Sequence, residues 1–192
     1  TYSEFTKYNS ELHAVLKPYQ KQIGSFRASK EPWELELMRK AQAITDRAFA
    51  EVITRIKPGM TERQVAAELV YHMLLNGSEG NSFDPIVITG KKTSMPHGVP
   101  GDEVIHEGDF VTMDFGCLKH GYCSNMTRTV AIGYATDEMK NIYNIVLEAQ
   151  LAGIAAARAG IPGYEIDAAA RNVITKAGYC LLYTSAAADD MQ

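Results

Sequence analysis

Residues 110–133 read FVTMDFGCLKHGYCSNMTRTVAIG, and this stretch decides the fold. Its first part, residues 110–116, is rich in the apolar and β-branched residues that favour a strand, and so is its last part, from Tyr122 to Gly133. The segment between them, from Cys117 to Gly121, predicts a turn. The stretch therefore predicts two antiparallel strands joined as a hairpin.

Helical patterns lie on both sides of this hairpin. Apolar residues recur at steps of three and four from Trp33 to Ile56 and predict one helix, which Pro58-Gly59 ends. Thr61 followed by Gln64 predicts a capping box at the start of a second helix. Another strand is predicted at residues 85–90, and further helices at 136–159 and 166–177. Because the strands cluster between helices, the fold class is α+β rather than a repeated βαβ fold.

The composition limits the classes of protein. The chain has 192 residues, is 46% hydrophobic and carries a net charge of −4, which is not the basic surface of a nucleic-acid-binding protein. Its apolar runs are too short to span a membrane, and we expect no secretory signal. The three cysteines do not suggest a disulfide framework. We therefore expect a cytoplasmic protein that binds neither nucleic acid nor a membrane.

Asp114 is the first candidate functional residue. It interrupts an apolar strand, and its side chain should share a face with Phe110 and Thr112. A half-buried carboxylate is costly unless it is paired, hydrogen-bonded or bound to a metal. The alternative is an aspartate at a strand end that accepts hydrogen bonds from turn amides, and on this residue alone that alternative is favoured.

Asn125 is the second candidate. Asp114 and Asn125 lie equally far from a turn centred on Lys119-His120, so a regular hairpin would place them opposite each other, with Cβ atoms roughly 5 Å apart. Two carboxylates in such positions could share one or two cations, but here one residue is an amide. The alternative is an Asp–Asn hydrogen-bonded pair, which the residue types alone favour.

His97 is the third candidate. It lies between Pro96 and Pro100, which restrict the backbone, so we expect its imidazole to be held in place. A histidine held near such a pair is a reasonable proton donor or substrate ligand. The alternative is a loop histidine that is simply exposed.

Several motifs in order resemble the pita-bread metallopeptidases, a superfamily that includes X-Pro aminopeptidase (aminopeptidase P), prolidase, methionine aminopeptidase and creatinase. The resemblance covers residues 31 to 179 and is closest in style to X-Pro aminopeptidase. It implies an α+β pita-bread fold of which this chain holds roughly the first half. The motifs are LMRKA at 37–41, KPGMTE at 57–62, NSFDPIV at 81–87, MPHG at 95–98, GDFVTMDFG at 108–116 and GYCSNMTRT at 121–129.

The resemblance also implies roles for the three candidates. Asp114 matches the first aspartate ligand of a site for two divalent metal ions, and Asn125 occupies the position of the second aspartate. His97 matches a histidine that contacts substrate without binding metal. Manganese is the favoured metal, with cobalt or zinc as alternatives. The implied reaction is hydrolysis of the bond before a proline at the second position of a peptide, by a full-length protein that is a homodimer.

The sequence departs from the family pattern in two ways. Asn125 offers one oxygen ligand and removes a negative charge from the metal site. In addition, the last histidine is His120, and Glu138, Glu148 and Glu165 do not match the family's glutamate motifs. We therefore expect a truncated, inactive chain that binds no metal. The alternative is a non-catalytic pseudoenzyme that binds peptides or partners on the same fold.

The domain organisation follows from the same match. Residues 1–30 are expected to be the tail of a preceding domain or a linker, and residues 31–179 the N-terminal part of the catalytic domain. Residues 180–192 resemble translated adapter sequence, so we expect them to be a non-native tail.

Overall fold

The computed structural model describes residues 1–17 and 19–179, with the backbone alone for Gln20 and Lys21. The chain divides into two compact units, Thr1–Leu37 and the residues from Met38 onward. The first unit contains helices α1 (Tyr2–Glu11) and α2 (Gln20–Phe26). The tail expected at residues 180–192 lies outside the described residues.

The remaining elements follow in chain order. They are α3 (Pro32–Val52), which begins in the first unit, α4 (Glu62–Leu75), β1 (Gly80–Asn81), β2 (Ile86–Thr89), a 3₁₀ helix (Gly90–Ser94), β3 (Phe110–Phe115), β4 (Cys117–Lys119), β5 (Tyr122–Cys123), β6 (Met126–Ala131), α5 (Asp137–Ala156) and α6 (Gly163–Lys176). The strands cluster between α4 and α5 in the chain, so the predicted α+β class is confirmed. None of the helices described here is long and apolar enough to cross a membrane.

Helices α3 and α4 supply the helical side of the core. The predicted apolar stripe is confirmed over the second half of α3, where Ala41, Ile44, Ala48 and Val52 are buried. The helix ends at Val52 rather than beside Pro58, and the chain continues as a turn in which the Arg55 amide donates to the Val52 carbonyl at 2.8 Å. The predicted capping box of α4 is confirmed: the Gln64 amide donates to the Thr61 hydroxyl at 3.2 Å, and the Thr61 amide donates to the Gln64 side chain at 2.9 Å.

The strands form two antiparallel sheets, in the orders β2-β3-β6 and β1-β4-β5. Strand β3 lies at the centre of the first sheet. Its residues Val111, Met113 and Phe115 are fully buried in the core, whereas the alternate residues are only partly covered. The sheet therefore has one face in the core and one open face, and Asp114 belongs to the open face.

The tip of the hairpin differs from the prediction. The two turn residues are His120 and Gly121, with φ angles of 51° and 78°, as in a two-residue type I′ turn. The predicted turn was centred one residue earlier, so the predicted pairing is wrong: Asp114 pairs with Thr127 and not with Asn125. The strand predicted from Tyr122 to Gly133 is also divided, because Ser124 and Asn125 separate β5 from β6.

Gly116 allows the two halves of the hairpin to approach closely where β3 passes into β4. A Cβ on this residue would lie 2.0 Å from the Ser124 carbonyl oxygen and 2.5 Å from the Ser82 hydroxyl oxygen. Both distances are far below van der Waals contact, and the nearer atom belongs to the backbone. This position therefore excludes every side chain unless the hairpin shifts.

We expect Gly116→Ala to lower the free energy of unfolding by about 1–3 kcal/mol, the usual cost of forcing extra atoms into a packed site. Urea unfolding of the full chain measures it. Gly163→Ala is the matched control, because a Cβ at Gly163 meets no atom within 4 Å. Equal stability of the two variants would contradict the close approach at Gly116.

Candidate functional site

Asp114 holds an unsatisfied oxygen on the open face of the sheet. Its Cα partners are Ile86 on β2 and Thr127 on β6. The Oδ1 atom is buried and has no hydrogen-bond partner among the described residues. The alternative interpretation required turn amides to donate hydrogen bonds to the Asp114 carboxylate, and none that the structure describes donates to this oxygen. A buried oxygen without a donor is costly, and a bound cation is one way to compensate it.

Asn125 lies on the same hairpin but not opposite Asp114. The register that pairs Asp114 with Thr127 and Leu118 with Cys123 sets Asn125 opposite Gly116. Asn125 is exposed and precedes Thr127 by two residues, which corresponds to the same side of the hairpin. Diagonal neighbours of this kind lie roughly 7–8 Å apart, compared with about 5 Å for direct partners.

Ser124 fixes the backbone immediately before Asn125. It is buried, its amide donates to the Cys117 carbonyl at 2.9 Å, and its hydroxyl accepts from the Cys117 amide at 2.9 Å. The Ser82 hydroxyl donates to the Ser124 carbonyl at 2.9 Å. The amide side chain of Asn125 therefore extends from a well-anchored position.

His97 is exposed, in a turn that follows the 3₁₀ helix. The next residue, Gly98, packs on β2: a Cβ at Gly98 would lie 2.8 Å from Cγ2 of Ile88. Ile88 pairs with Thr112, so the loop that carries His97 covers the row of side chains next to that of Asp114. Although Ile88 belongs to the open face, this loop covers it and leaves it only 2% exposed.

An open groove of about 600 Å³ continues along the same face, between the sheet and α5. Apart from Phe110, its sheet side is polar, and the hydroxyls of Thr112 and Thr129 are hydrogen-bonded at 2.9 Å. Its helix side is more apolar. The residues lining the two sides include Thr112, Thr127 and Thr129 on the sheet, and Ile142, Tyr143 and Val146 on α5.

The described residues do not form a complete metal site. Oδ1 of Asp114 suits a cation, and Asn125 can offer one oxygen. However, no group of three or more His, Cys, Asp or Glu side chains within residues 1–17 and 19–179 is arranged to hold a metal ion. Since a catalytic metal normally takes about three protein ligands, further ligands are required.

Sequence reasoning missed two residues that shape this region. Thr127, the true partner of Asp114, could have been found from His120-Gly121, because a glycine in the second position is typical of a type I′ turn. Glu62 ends the KPGMTE motif, but nothing in the sequence indicated that it is fully buried and binds Lys92 at 2.6 Å, since acidic residues are common in the first turn of a helix.

The Glu62 carboxylate raises the pKa of Lys92 above its ordinary value of 10.5 through their hydrogen bond. A raised lysine pKa means that the folded state holds the proton more tightly than the unfolded state. The stability that the Lys92 proton contributes is therefore present below pH 10.5 and is lost as the pH rises through the raised pKa. The pair is intact across the physiological range.

The sequence of the chain is similar to those of known metallopeptidases and peptidases. The profile of the metallopeptidase family M24 matches residues 36–188. Among curated proteins, the chain is 41% identical to the uncharacterized peptidase YqhT of Bacillus subtilis over 93% of this chain and 51% of that protein. It is also 41% identical to the Xaa-Pro dipeptidase of Pyrococcus horikoshii over 82% of this chain and 45% of that protein.

Solved structures give the same result. The Xaa-Pro dipeptidase from Bacillus anthracis matches with a TM-score of 0.90 at 42% identity, covering 93% of this chain and 50% of that one. The prolidase from Pyrococcus furiosus matches with a TM-score of 0.89 at 37% identity, covering 93% of this chain and 53% of that one. The chain spans about half the length of the relatives it matches. It belongs to the metallopeptidase family M24 and has the α+β pita-bread fold, over the part that corresponds to the N-terminal half of its relatives.

Proposed function

We propose that this chain supplies part of the active site of a metal-dependent aminopeptidase that hydrolyses the bond before proline at a peptide N-terminus. The observation that carries the proposal is the buried, unpartnered Oδ1 of Asp114 on the open face of the sheet. Relatives named Xaa-Pro dipeptidase, prolidase and X-Pro aminopeptidase support the substrate, a peptide with proline at its second position.

In this proposal Asp114 and Asn125 are metal ligands and His97 contacts the substrate. Oxygen ligands of this kind suit manganese, with cobalt and zinc as alternatives. Two such ions, when bound, would supply an activated water and polarise the scissile carbonyl. Because the described residues do not provide enough ligands, we propose that this chain by itself binds no metal and is inactive.

The domain assignment belongs to the same proposal. Residues 31–179 form the N-terminal part of the catalytic domain, and residues 1–30 are a linker or the tail of a preceding domain. The complete enzyme would be a homodimer. The shared length with the relatives, about half of each, supports this assignment.

A second candidate function is a pseudoenzyme that binds peptides or partners on the same fold. Asn125 favours it, because an amide at a ligand position carries no charge and has an NH₂ donor in place of the second ligand oxygen. The polar side of the groove beside Asp114, formed by Thr112, Thr127 and Thr129, could bind an extended peptide.

The full chain and a hybrid protein together test the proposed function. In the hybrid, residues 31–179 replace the matching part of the Bacillus anthracis Xaa-Pro dipeptidase, to which the chain is 42% identical. We expect the chain alone to release no N-terminal residue from an X-Pro peptide with manganese, cobalt or zinc. We expect the hybrid to do so, and His97→Ala to reduce its turnover on the order of 10²-fold.

Two results would contradict these expectations. Metal-dependent hydrolysis by the chain alone would show that this chain supplies enough ligands for a catalytic metal ion. A hybrid that binds X-Pro peptides without cleaving them, as measured by calorimetry, would favour the pseudoenzyme.

A further inference from the structure

The side chain of Glu62 is fully buried at the first position of α4, directly after the N-cap Thr61. A buried carboxylate needs hydrogen-bond donors or a counter-charge for its oxygens. Among the residues that the structure describes, the side-chain oxygens of Glu62 accept from residues within 89–101, which we name the His97 loop. This loop leaves the end of β2, includes the 3₁₀ helix and carries His97.

Three hydrogen bonds join Glu62 to the His97 loop. Its Oε1 accepts from the Thr89 amide at 2.8 Å, and its Oε2 accepts from the Gly101 amide at 2.8 Å and from the Lys92 ammonium at 2.6 Å. Thr89 and Gly101 are the two ends of the loop, and Lys92 lies in its first turn. A single carboxylate therefore closes the loop at its base.

The backbone at the start of α4 reinforces this closure. The Glu62 amide donates to the Glu103 carbonyl at 3.1 Å, and the Arg63 amide donates to the Gly101 carbonyl at 3.1 Å. Helix α4 is itself fixed in the core by buried residues such as Val65 and Leu69. The base of the loop is thus attached to a rigid element.

The tip of the loop is held on the sheet. The Gly98 amide donates to the Met95 carbonyl at 3.1 Å, and Gly98 packs on Ile88. His97 lies beside this second contact, while its side chain stays exposed. Two contacts, one at the base and one at the tip, therefore determine where the imidazole is presented.

We infer that Glu62 is a positioning residue for His97, acting through the His97 loop. This inference rests on the proposed function, in which His97 meets the substrate. Glu62 itself is buried away from solvent and does not touch the substrate. Without its carboxylate, the base of the loop loses three hydrogen bonds at once, and the imidazole samples more positions.

Hydrogen exchange of the full chain tests the inference without any activity. Glu62→Gln keeps the shape of the side chain but replaces one acceptor oxygen with an NH₂ donor that faces other donors. We expect amide exchange in residues 90–101 to become at least about tenfold faster, while Val111 and Met113 in β3 keep their protection. Unchanged exchange in the loop would overturn the inference.

Glu79→Gln is the matched control. Glu79 also accepts from a backbone amide, that of His120 at 2.9 Å, and binds a lysine, Lys119, at 3.2 Å. We expect this variant to change exchange at the β4–β5 turn only. If Glu62→Gln does not fold, Lys92→Met carries the test, since the Lys92 side chain is 20% exposed. The substitution removes one of the three bonds to Glu62, together with the ion pair of Lys92 with Glu103 at 3.2 Å. Unchanged loop exchange in Lys92→Met would then overturn the inference.

A double-mutant cycle in the hybrid protein separates positioning from a general structural role. We expect Glu62→Gln to lower turnover about tenfold when His97 is present and to have no further effect in a His97→Ala background. Equal losses in both backgrounds would overturn the inference. An inactive hybrid would contradict the proposed function alone, because the exchange data would still decide whether Glu62 holds the loop.

Discussion

Asn125→Asp in the hybrid protein is expected to add one tightly bound metal ion and to raise turnover on the order of 10²-fold. The reason is both electrostatic and geometric. Asn125 offers one oxygen on the same side of the hairpin as Asp114, whereas an aspartate there would offer two oxygens and a negative charge. Calorimetry with manganese measures the number of ions bound, and a coupled assay with an X-Pro peptide measures turnover.

The control for this prediction is Asn141→Asp, which makes the same change of charge on the exposed surface of α5. We expect it to alter neither metal stoichiometry nor turnover. If the hybrid binds the same number of ions with and without Asn125→Asp, the amide is an adequate ligand, and the argument for a pseudoenzyme loses its basis.

The order and type of the main elements could be predicted from the sequence because local signals agree with one another. The Thr61-Gln64 capping box, the apolar stripe through Ala41, Ile44 and Ala48, and the β-branched run of β2 each specify their own structure. In these elements, the tertiary contacts stabilise the same structure that the local sequence favours.

The register of the hairpin could not be predicted so well, because it depends on one residue in the turn. Centring the turn on Lys119-His120 rather than His120-Gly121 changes the partner of Asp114 from Thr127 to Asn125. The sequence contained the decisive signal in Gly121, which tolerates a positive φ. The division of the hairpin at Ser124 is different, because the Ser124 carbonyl there accepts a hydrogen bond from the distant Ser82 hydroxyl, a contact that no local pattern indicates.

The contacts of the candidate site are also non-local. Glu62 accepts a hydrogen bond from Thr89, the first residue of the His97 loop, which is 27 residues away in the sequence. No periodic sequence pattern connects the two positions. Likewise, Ile88 is buried on the open face of the sheet because Gly98, ten residues later in the chain, packs on it. The candidate residues could be named from the sequence, but the distant residues that hold them in place could not.

Asp114→Ala should have opposite effects on stability and on activity. In the chain alone, it removes a buried oxygen that has no hydrogen-bond partner among the described residues. We therefore expect the free energy of unfolding to rise by about 1–3 kcal/mol, the penalty commonly attached to such a group. In the hybrid, the same change should abolish metal binding and peptide hydrolysis. Urea unfolding, calorimetry and the peptide assay measure the three effects.

Asp109→Ala is the matched control, because its carboxylate is satisfied: Oδ2 accepts from the His106 amide at 2.8 Å and from the Thr89 hydroxyl at 3.3 Å. We expect this variant to lose about 1–3 kcal/mol of stability, since it leaves those donors without an acceptor. Manganese should then stabilise the unmodified hybrid but not its Asp114→Ala variant, by about 2.7 kcal/mol at a hundredfold excess over Kd. If Asp114→Ala destabilises the metal-free chain as much as Asp109→Ala does, Oδ1 of Asp114 is satisfied in solution, and the observation that carries the proposed metal site is lost.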